Sequence, residues 1–176
     1  MNHETISGHT VRLFKTPESI QARVQEIGQA LAQTFEHRNP LVIGILSGAF
    51  VFLADLIRVM SISMDVDFWR VASYGSGTQS SGHLAEPWPI LVDVEGRHVI
   101  VVEDIVDSGR TIEYIRRGLG KRRAASITIV SMLQARKSEI SVDYTGFSCG
   151  PQFVVGYGLD IGGQLRNLPA LYYLEG

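Results

Sequence analysis

The chain has 176 residues, 45% hydrophobic and 19% charged, with a formal net charge of −2. That is the size of one domain with a compact core; it excludes disorder, a collagen-like repeat and a broadly basic nucleic-acid surface. A single cysteine, Cys149, excludes an internal disulfide and a cysteine-based zinc site, and suits a reducing compartment, the cytoplasm by default. The first residues, Met1-Asn2-His3-Glu4-Thr5, do not read as a signal peptide, and no apolar run nears the ~20 residues of a membrane span.

Thr16-Pro17-Glu18 reads as a helix start, with Thr16 as cap and Pro17 in the first turn. Ile20, Val24, Ile27, Leu31 and Phe35 then form one apolar face, and the helix should end near Arg38-Asn39-Pro40. Leu41–Leu46 is a continuous apolar run, which suits a parallel strand covered on both faces. A turn at Ser47-Gly48-Ala49 leads to a helix over Phe50–Val59, and Met64–Ser73 reads as a strand. Tyr74–Gly82, made of small and polar residues, reads as a mobile loop. Pro89–Val94 and His98–Glu103 read as strands around a Glu95-Gly96 turn, Ile112–Lys121 as a helix and Ala125–Leu133 as a strand. This alternation predicts an α/β domain around a mainly parallel sheet flanked by helices. The tail, with short strands at Phe147, Phe153-Val154-Val155 and Leu171–Leu174, is expected to form a small hood over one end of the sheet.

Charge is unevenly placed. Glu103, Asp104 and Asp107 crowd the end of an apolar strand, and a small polar loop, Ser108-Gly109-Arg110-Thr111, runs from them into a helix. In open α/β sheets ligands bind beyond the carboxyl ends of the strands. Free N–H groups at a helix start favour a phosphate, Ser108 and Thr111 add hydroxyl donors, and Gly109 permits close backbone approach. Glu103 and Asp104 should point to opposite faces if the strand runs through them, leaving at least one for a sugar diol. The plainer alternative is a strand end with an acid-rich capping turn. Arg116, Arg117, Lys121, Arg122 and Arg123 read as a solvated helix face.

The run Val101–Thr111 resembles the PRPP-binding signature of the type I phosphoribosyltransferases: apolar residues, two acids, two small or apolar residues, an acid and a hydroxyl-Gly-x-Thr loop. Leu46–Leu56, Asp67–Gly75, Phe153–Asp160 and Arg166–Pro169 narrow the resemblance to the hypoxanthine-guanine branch, in order along most of the chain. It implies one domain over residues 1–176, with a hood formed by the N-terminal segment and about 140–176. It implies purine salvage: PRPP plus hypoxanthine or guanine gives the nucleoside monophosphate and pyrophosphate. By the same resemblance, Asp107 sits near the purine N7 as general base or proton relay. Glu103 and Asp104 bind the ribose hydroxyls, and Ser108, Gly109, Arg110 and Thr111 hold the 5′-phosphate. Ser47 and Gly48 offer backbone N–H groups to pyrophosphate across a peptide often cis in the family, and Arg166 reaches the same group. Phe153 stacks on the purine while Val154 offers its backbone. Asp160 holds Mg²⁺, and Ser73 and Tyr74 close over the site. A homodimer or homotetramer is implied too, with no membrane or nucleic-acid partner.

One departure concerns the base. The family carries a lysine just after the strand that ends near Leu133, where it donates to the purine 6-oxo group. Ungapped placement puts Ala135 there. Lys137 after a two-residue slip, Arg136 or Gln134 are the available substitutes. Altered base preference, such as xanthine, and a PRPP-sensing RNA-binding regulator on the same fold are the alternative readings.

Overall fold

The computed structural model describes residues 3–70 and 92–175. In chain order the elements are β1 (His3–Ile6), β2 (His9–Lys15), α1 (Pro17–Thr34), β3 (Leu41–Leu46), α2 (Phe50–Val59), β4 (Asp65–Arg70), β5 (His98–Val106), α3 (Arg110–Lys121), β6 (Ser126–Ala135), β7 (Tyr144–Cys149), β8 (Val154–Val155) and β9 (Leu171–Leu174).

The body is a five-stranded sheet in the order β4-β3-β5-β6-β7, parallel throughout. Alternate side chains of its central strands feed two cores. Val42, Ile100, Val102 and Val130 pack under α1 and α2, while Leu41, Ile43, Val99, Val101 and Ile129 pack against α3. Burial on both faces explains why these strands are apolar at nearly every position. Each fully buried Val, Leu or Ile contributes about 1.5–3 kcal/mol relative to exposure.

Local signals set the helix ends. The Ser19 amide donates to Thr16 Oγ1 at 3.3 Å, and Pro17 opens α1. The helix stops at Thr34, short of Arg38, and the chain leaves through His37 and Asn39, both at positive φ. On α3, Ile112, Ile115 and Leu119 are buried. The basic cluster lies on its outer side and the following turn: Arg116 donates to the Ser141 carbonyl, Arg123 pairs with Glu95, and Arg117, Lys121 and Arg122 are exposed.

The hood is an antiparallel sheet in the order β1-β2-β9-β8. Its boundary differs from the expected one. Residues Tyr144–Cys149 leave the hood and join the body as the parallel edge strand β7, with Val130 opposite Tyr144 and Ala135 opposite Cys149. Asp143 Oδ2 accepts from the Ile129 amide at 2.7 Å and Thr145 donates to Gln134, which anchors this strand at the edge of β6. No strand forms at Val92–Val94, the described part of the expected Pro89–Val94 strand. The Tyr74–Gly82 loop, with Ser73 and Tyr74, lies outside the described residues. No helix among the described residues is long and apolar enough to cross a membrane.

Candidate active site

Strand β5 runs three residues past the expected end at Glu103, through Val106, and so carries Glu103 and Asp104 to the carboxyl edge of the sheet. Asp107-Ser108-Gly109 follows as a bend. Gly109 has φ +78°, a left-handed conformation that glycine adopts without steric cost. A Cβ on Gly109 would also lie 1.9 Å from Ile140 Cγ1. Helix α3 opens directly after it with no side-chain cap. Arg110 and Thr111 occupy its first turn, with exposed Ser108 just before it, so the expected phosphate loop stands at an uncapped helix start.

The two acids at the strand end are deeply set. Glu103 is 8% exposed, and its Oε2 is buried with no hydrogen-bond partner. Burial, and then the neighbouring Asp104 charge, push the Glu103 carboxyl well above the usual carboxylate range. Burial also raises Asp104, against the pull of the Ile105 amide, which donates to its Oδ1 at 2.7 Å, and of the Arg166 charge. Asp104 faces the cleft, while the Glu103 side chain is buried away from it.

Facing them is the turn after β3. The Leu46–Ser47 peptide is cis, and Ser47 is exposed. A Cβ on Gly48 would fall 1.5 Å from Asp104 Oδ2, so only a glycine backbone fits against that carboxylate. From the hood, Arg166 donates to the Gly158 carbonyl at 2.7 Å and pairs with Asp160 at 2.6 Å. The second Asp160 oxygen accepts from the Gly163 amide.

Beside them lies a cleft of about 520 Å³, whose lining includes neither Glu103 nor the Ser108–Thr111 loop. Asp104, Asp107, Phe153, Val154 and Asp160 line it, as expected for a shared site; Phe153 is 56% exposed beside buried Val154. Ser47, Gly48 and Arg166 reach it through Asp104 and Asp160 rather than lining it. The wall after β6 places Ala135, 7% exposed, at the cleft, where the family lysine was expected. Gln134 is committed elsewhere, to the Ile140 carbonyl and Thr145. Lys137 instead reaches into the cleft and pairs with Asp107 at 3.3 Å.

Cys149, Gly150, Pro151 and Gln152 also line the cleft, and the sequence reading missed them. They follow or end β7. Recognising Tyr144–Cys149 as a parallel strand would have placed its carboxyl end here by the same rule that placed Asp107. Burial, and then the Asp107 charge, raise the Cys149 thiol pKa, so it lines the cleft as a neutral group.

Known proteins share this arrangement. The phosphoribosyl transferase domain family matches residues 16–161. The hypoxanthine-guanine phosphoribosyltransferase of Bacillus subtilis is 42% identical over 167 residues, covering 93% of this chain and 93% of the relative. The bifunctional protein TilS/HprT of Listeria monocytogenes is 39% identical over 176 residues, covering 98% of this chain but 27% of that protein. The chain thus spans about a quarter of the bifunctional relative and nearly all of the single-function one. A hypoxanthine-guanine phosphoribosyltransferase structure from Bacillus anthracis superposes with a TM-score of 0.84 at 33% identity, over 93% of this chain and 98% of that one. The parallel body, the hood and the loops that meet at the cleft are therefore shared with these enzymes, and the chain belongs to the phosphoribosyl transferase family, in its hypoxanthine-guanine branch.

Proposed function

We propose that the chain transfers the 5-phosphoribosyl group of PRPP to a 6-oxopurine, hypoxanthine or guanine, releasing pyrophosphate, as a purine-salvage enzyme of the cytoplasm. One observation carries this reading: an exposed carboxylate, Asp107, stands between an uncapped helix start and a cleft edged by the exposed ring of Phe153. The uncapped amides of α3, with Ser108 and Thr111, hold the 5′-phosphate. That places the ribose over Glu103 and Asp104, and the pyrophosphate between the Gly48 turn and Arg166. Phe153 stacks on the base, with the Val154 backbone at its edge.

As the bond from ribose C1 to the pyrophosphate oxygen breaks, C1 becomes cationic and negative charge gathers on the leaving group. Backbone donors at Ser47-Gly48 and the Arg166 guanidinium stabilise that charge. Purine N9 forms the new bond to C1, and Asp107 accepts the proton from N7. Lys137, beside Asp107, presents an N–H donor next to a carboxylate acceptor. That pair matches a 6-oxo oxygen beside a protonated N7, and it opposes the 6-amino group of adenine.

The donor set suits Mg²⁺. Asp104, Asp107 and Asp160 offer hard oxygens around one cleft, and Glu103 holds a buried oxygen without a partner. Among the described residues no three ligands converge into a closed cage, which fits an ion bound by one or two carboxylates plus substrate oxygens. Asp104 and Asp160 would hold it, supplying charge neutralisation at the pyrophosphate. Asp160 reaches it through water, since Arg166 and the Gly163 amide occupy its oxygens.

Ala135 favours a second reading, altered base choice such as xanthine, because its methyl offers no donor where the family lysine was expected. Steady-state pyrophosphate release from PRPP with hypoxanthine, guanine, xanthine and adenine tests both. Turnover with hypoxanthine and guanine but not adenine is expected. Dominant xanthine turnover selects the second reading, and no release with any base overturns both.

A further inference from the structure

We infer that Tyr157, through its hydroxyl bond to Asp55, is a positioning residue for pyrophosphate-side recognition. It keys the hood to the turn that carries Gly48. The inference deepens the phosphoribosyl-transfer reading and relies on it for the assay.

Tyr157 sits in a run of three left-handed residues: Gly156 at φ +91°, Tyr157 at +50° and Gly158 at +101°. Glycine takes this conformation freely, but a bulky aromatic there is a genuine outlier, and it persists only where its surroundings over-determine it. Three contacts hold it there. The Tyr157 amide donates to the Leu168 carbonyl at 2.8 Å, its ring is 5% exposed, and its hydroxyl donates to Asp55 Oδ2 on α2 at 2.7 Å. Desolvation, and then the bond to Asp55, push the Tyr157 hydroxyl pKa upward, so it stays a proton donor.

This bond crosses a particular boundary. Hood residues such as Val154, Leu171 and Tyr173 pack on the body through apolar contact. That force is non-directional and does not fix how the hood is rotated. Among the described residues, Tyr157 to Asp55 is the one side-chain hydrogen bond that runs between the hood and the body.

The next residue shows what the key aligns. A Cβ on Gly158 would fall 2.2 Å from the Gly48 carbonyl oxygen, and the Gly158 carbonyl accepts from Arg166. Two pyrophosphate-side groups, the Gly48 backbone and the Arg166 guanidinium, therefore meet at Gly158. A small rotation of the hood separates them. On the base side, Asp107 and Lys137 belong to the body and do not move with the hood, which contributes Phe153 and Val154 there.

Tyr157→Phe keeps the ring and removes the hydroxyl. The expected result is a KM for PRPP raised about tenfold, as for loss of one hydrogen bond to a charged group. Inhibition by inorganic pyrophosphate should weaken by a similar factor. The KM for hypoxanthine should change much less, kcat should fall with the weakened leaving-group contacts, and Tm should drop by no more than the loss of one hydrogen bond accounts for. Asp55→Ala should give the same split, the Tyr157→Phe/Asp55→Ala double variant no further loss, and Asp55→Asn, which keeps an acceptor oxygen, should recover most of the affinity. Arg58→Ala should be silent, since Arg58 pairs with Asp55 at the exposed end of α2. A merely structural role would lower Tm and the active fraction without moving the KM for PRPP, and that pattern overturns the inference. So does an unchanged KM in both Tyr157→Phe and Asp55→Ala. Failure of the underlying reading looks different: the parent protein itself would release no pyrophosphate with any base.

Discussion

The buried floor beside the cleft and its exposed rim carry carboxyl groups only a few residues apart in sequence, in opposite environments. Glu103 and Asp104 lie near the end of β5, where burial raises the pKa of both. Asp107, just beyond the strand, has a side chain 56% exposed beside the Lys137 ammonium. Environments that separate neighbouring carboxyls in this way separate their tasks. On the proposed phosphoribosyl-transfer reading, the buried pair would meet the sugar hydroxyls and the exposed Asp107 would serve as the base. One motif supplies both because the strand ends between them.

The strongest way to break the comparison is at the rim. Asp107→Ala should lower kcat by about 10²–10⁴ while hardly affecting PRPP binding. Equal turnover in variant and parent would remove Asp107 as the proton acceptor. Next comes Phe153→Ala, which should raise the KM for the base by the equivalent of about 1–3 kcal/mol of lost stacking and leave the KM for PRPP alone. Equal losses for both substrates would put Phe153 in the hood's packing instead.

Lys137→Ala sharpens the base side. With Lys137 72% exposed, its removal should cost hypoxanthine binding about 1.5 kcal/mol, the low end for a hydrogen bond to a charged group. Competition assays should show discrimination against adenine narrowing as well. Unchanged selectivity would return the donor role to Arg136 or leave the wall without one.

The smallest effect tests the floor. Because the folded Glu103 pKa is raised above 4.5, its stabilising contribution is complete below that pH. It is lost as pH rises through the folded value, because the unfolded chain gives up the proton first. In that window stability should fall by up to about 1.4 kcal/mol per pH unit on account of this group. Glu103→Gln mimics the protonated form, so its urea-unfolding profile should be flatter above about pH 5. Identical slopes would mean that Glu103 is ionised in the folded protein.

Much of the body was legible in the sequence. β3 and α2 run as expected, Leu41–Leu46 and Phe50–Val59, because unbroken apolar runs and one-sided helical faces report burial directly. The strand, bend and helix that carry Asp107 and the Ser108–Thr111 loop were legible because the motif is continuous in the chain. β7 was not. Tyr-Thr-Gly-Phe-Ser-Cys has neither a continuous apolar run nor clean alternation, and it is a strand because it completes the edge of β6. Lys137 was one of several candidates. Only the path of the chain after Ala135 places it against Asp107 and turns Gln134 away. The link from Tyr157 to Asp55 spans 102 residues and leaves no trace in local pattern.

The hood has a consequence for how the protein comes into being. Its central pairing joins β2 to β9, with Val11 opposite Leu174 and Lys15 opposite Leu171. Contacts so distant along the chain carry a large loop-closure cost and form late. Within the body, β5, β6 and β7 pair across shorter connections and can collapse while this pairing is still open. The loop between β5 and α3 therefore takes shape before the hood brings Phe153 to the cleft. A nascent chain would have one wall of its site in place while the opposite edge is still unfolded.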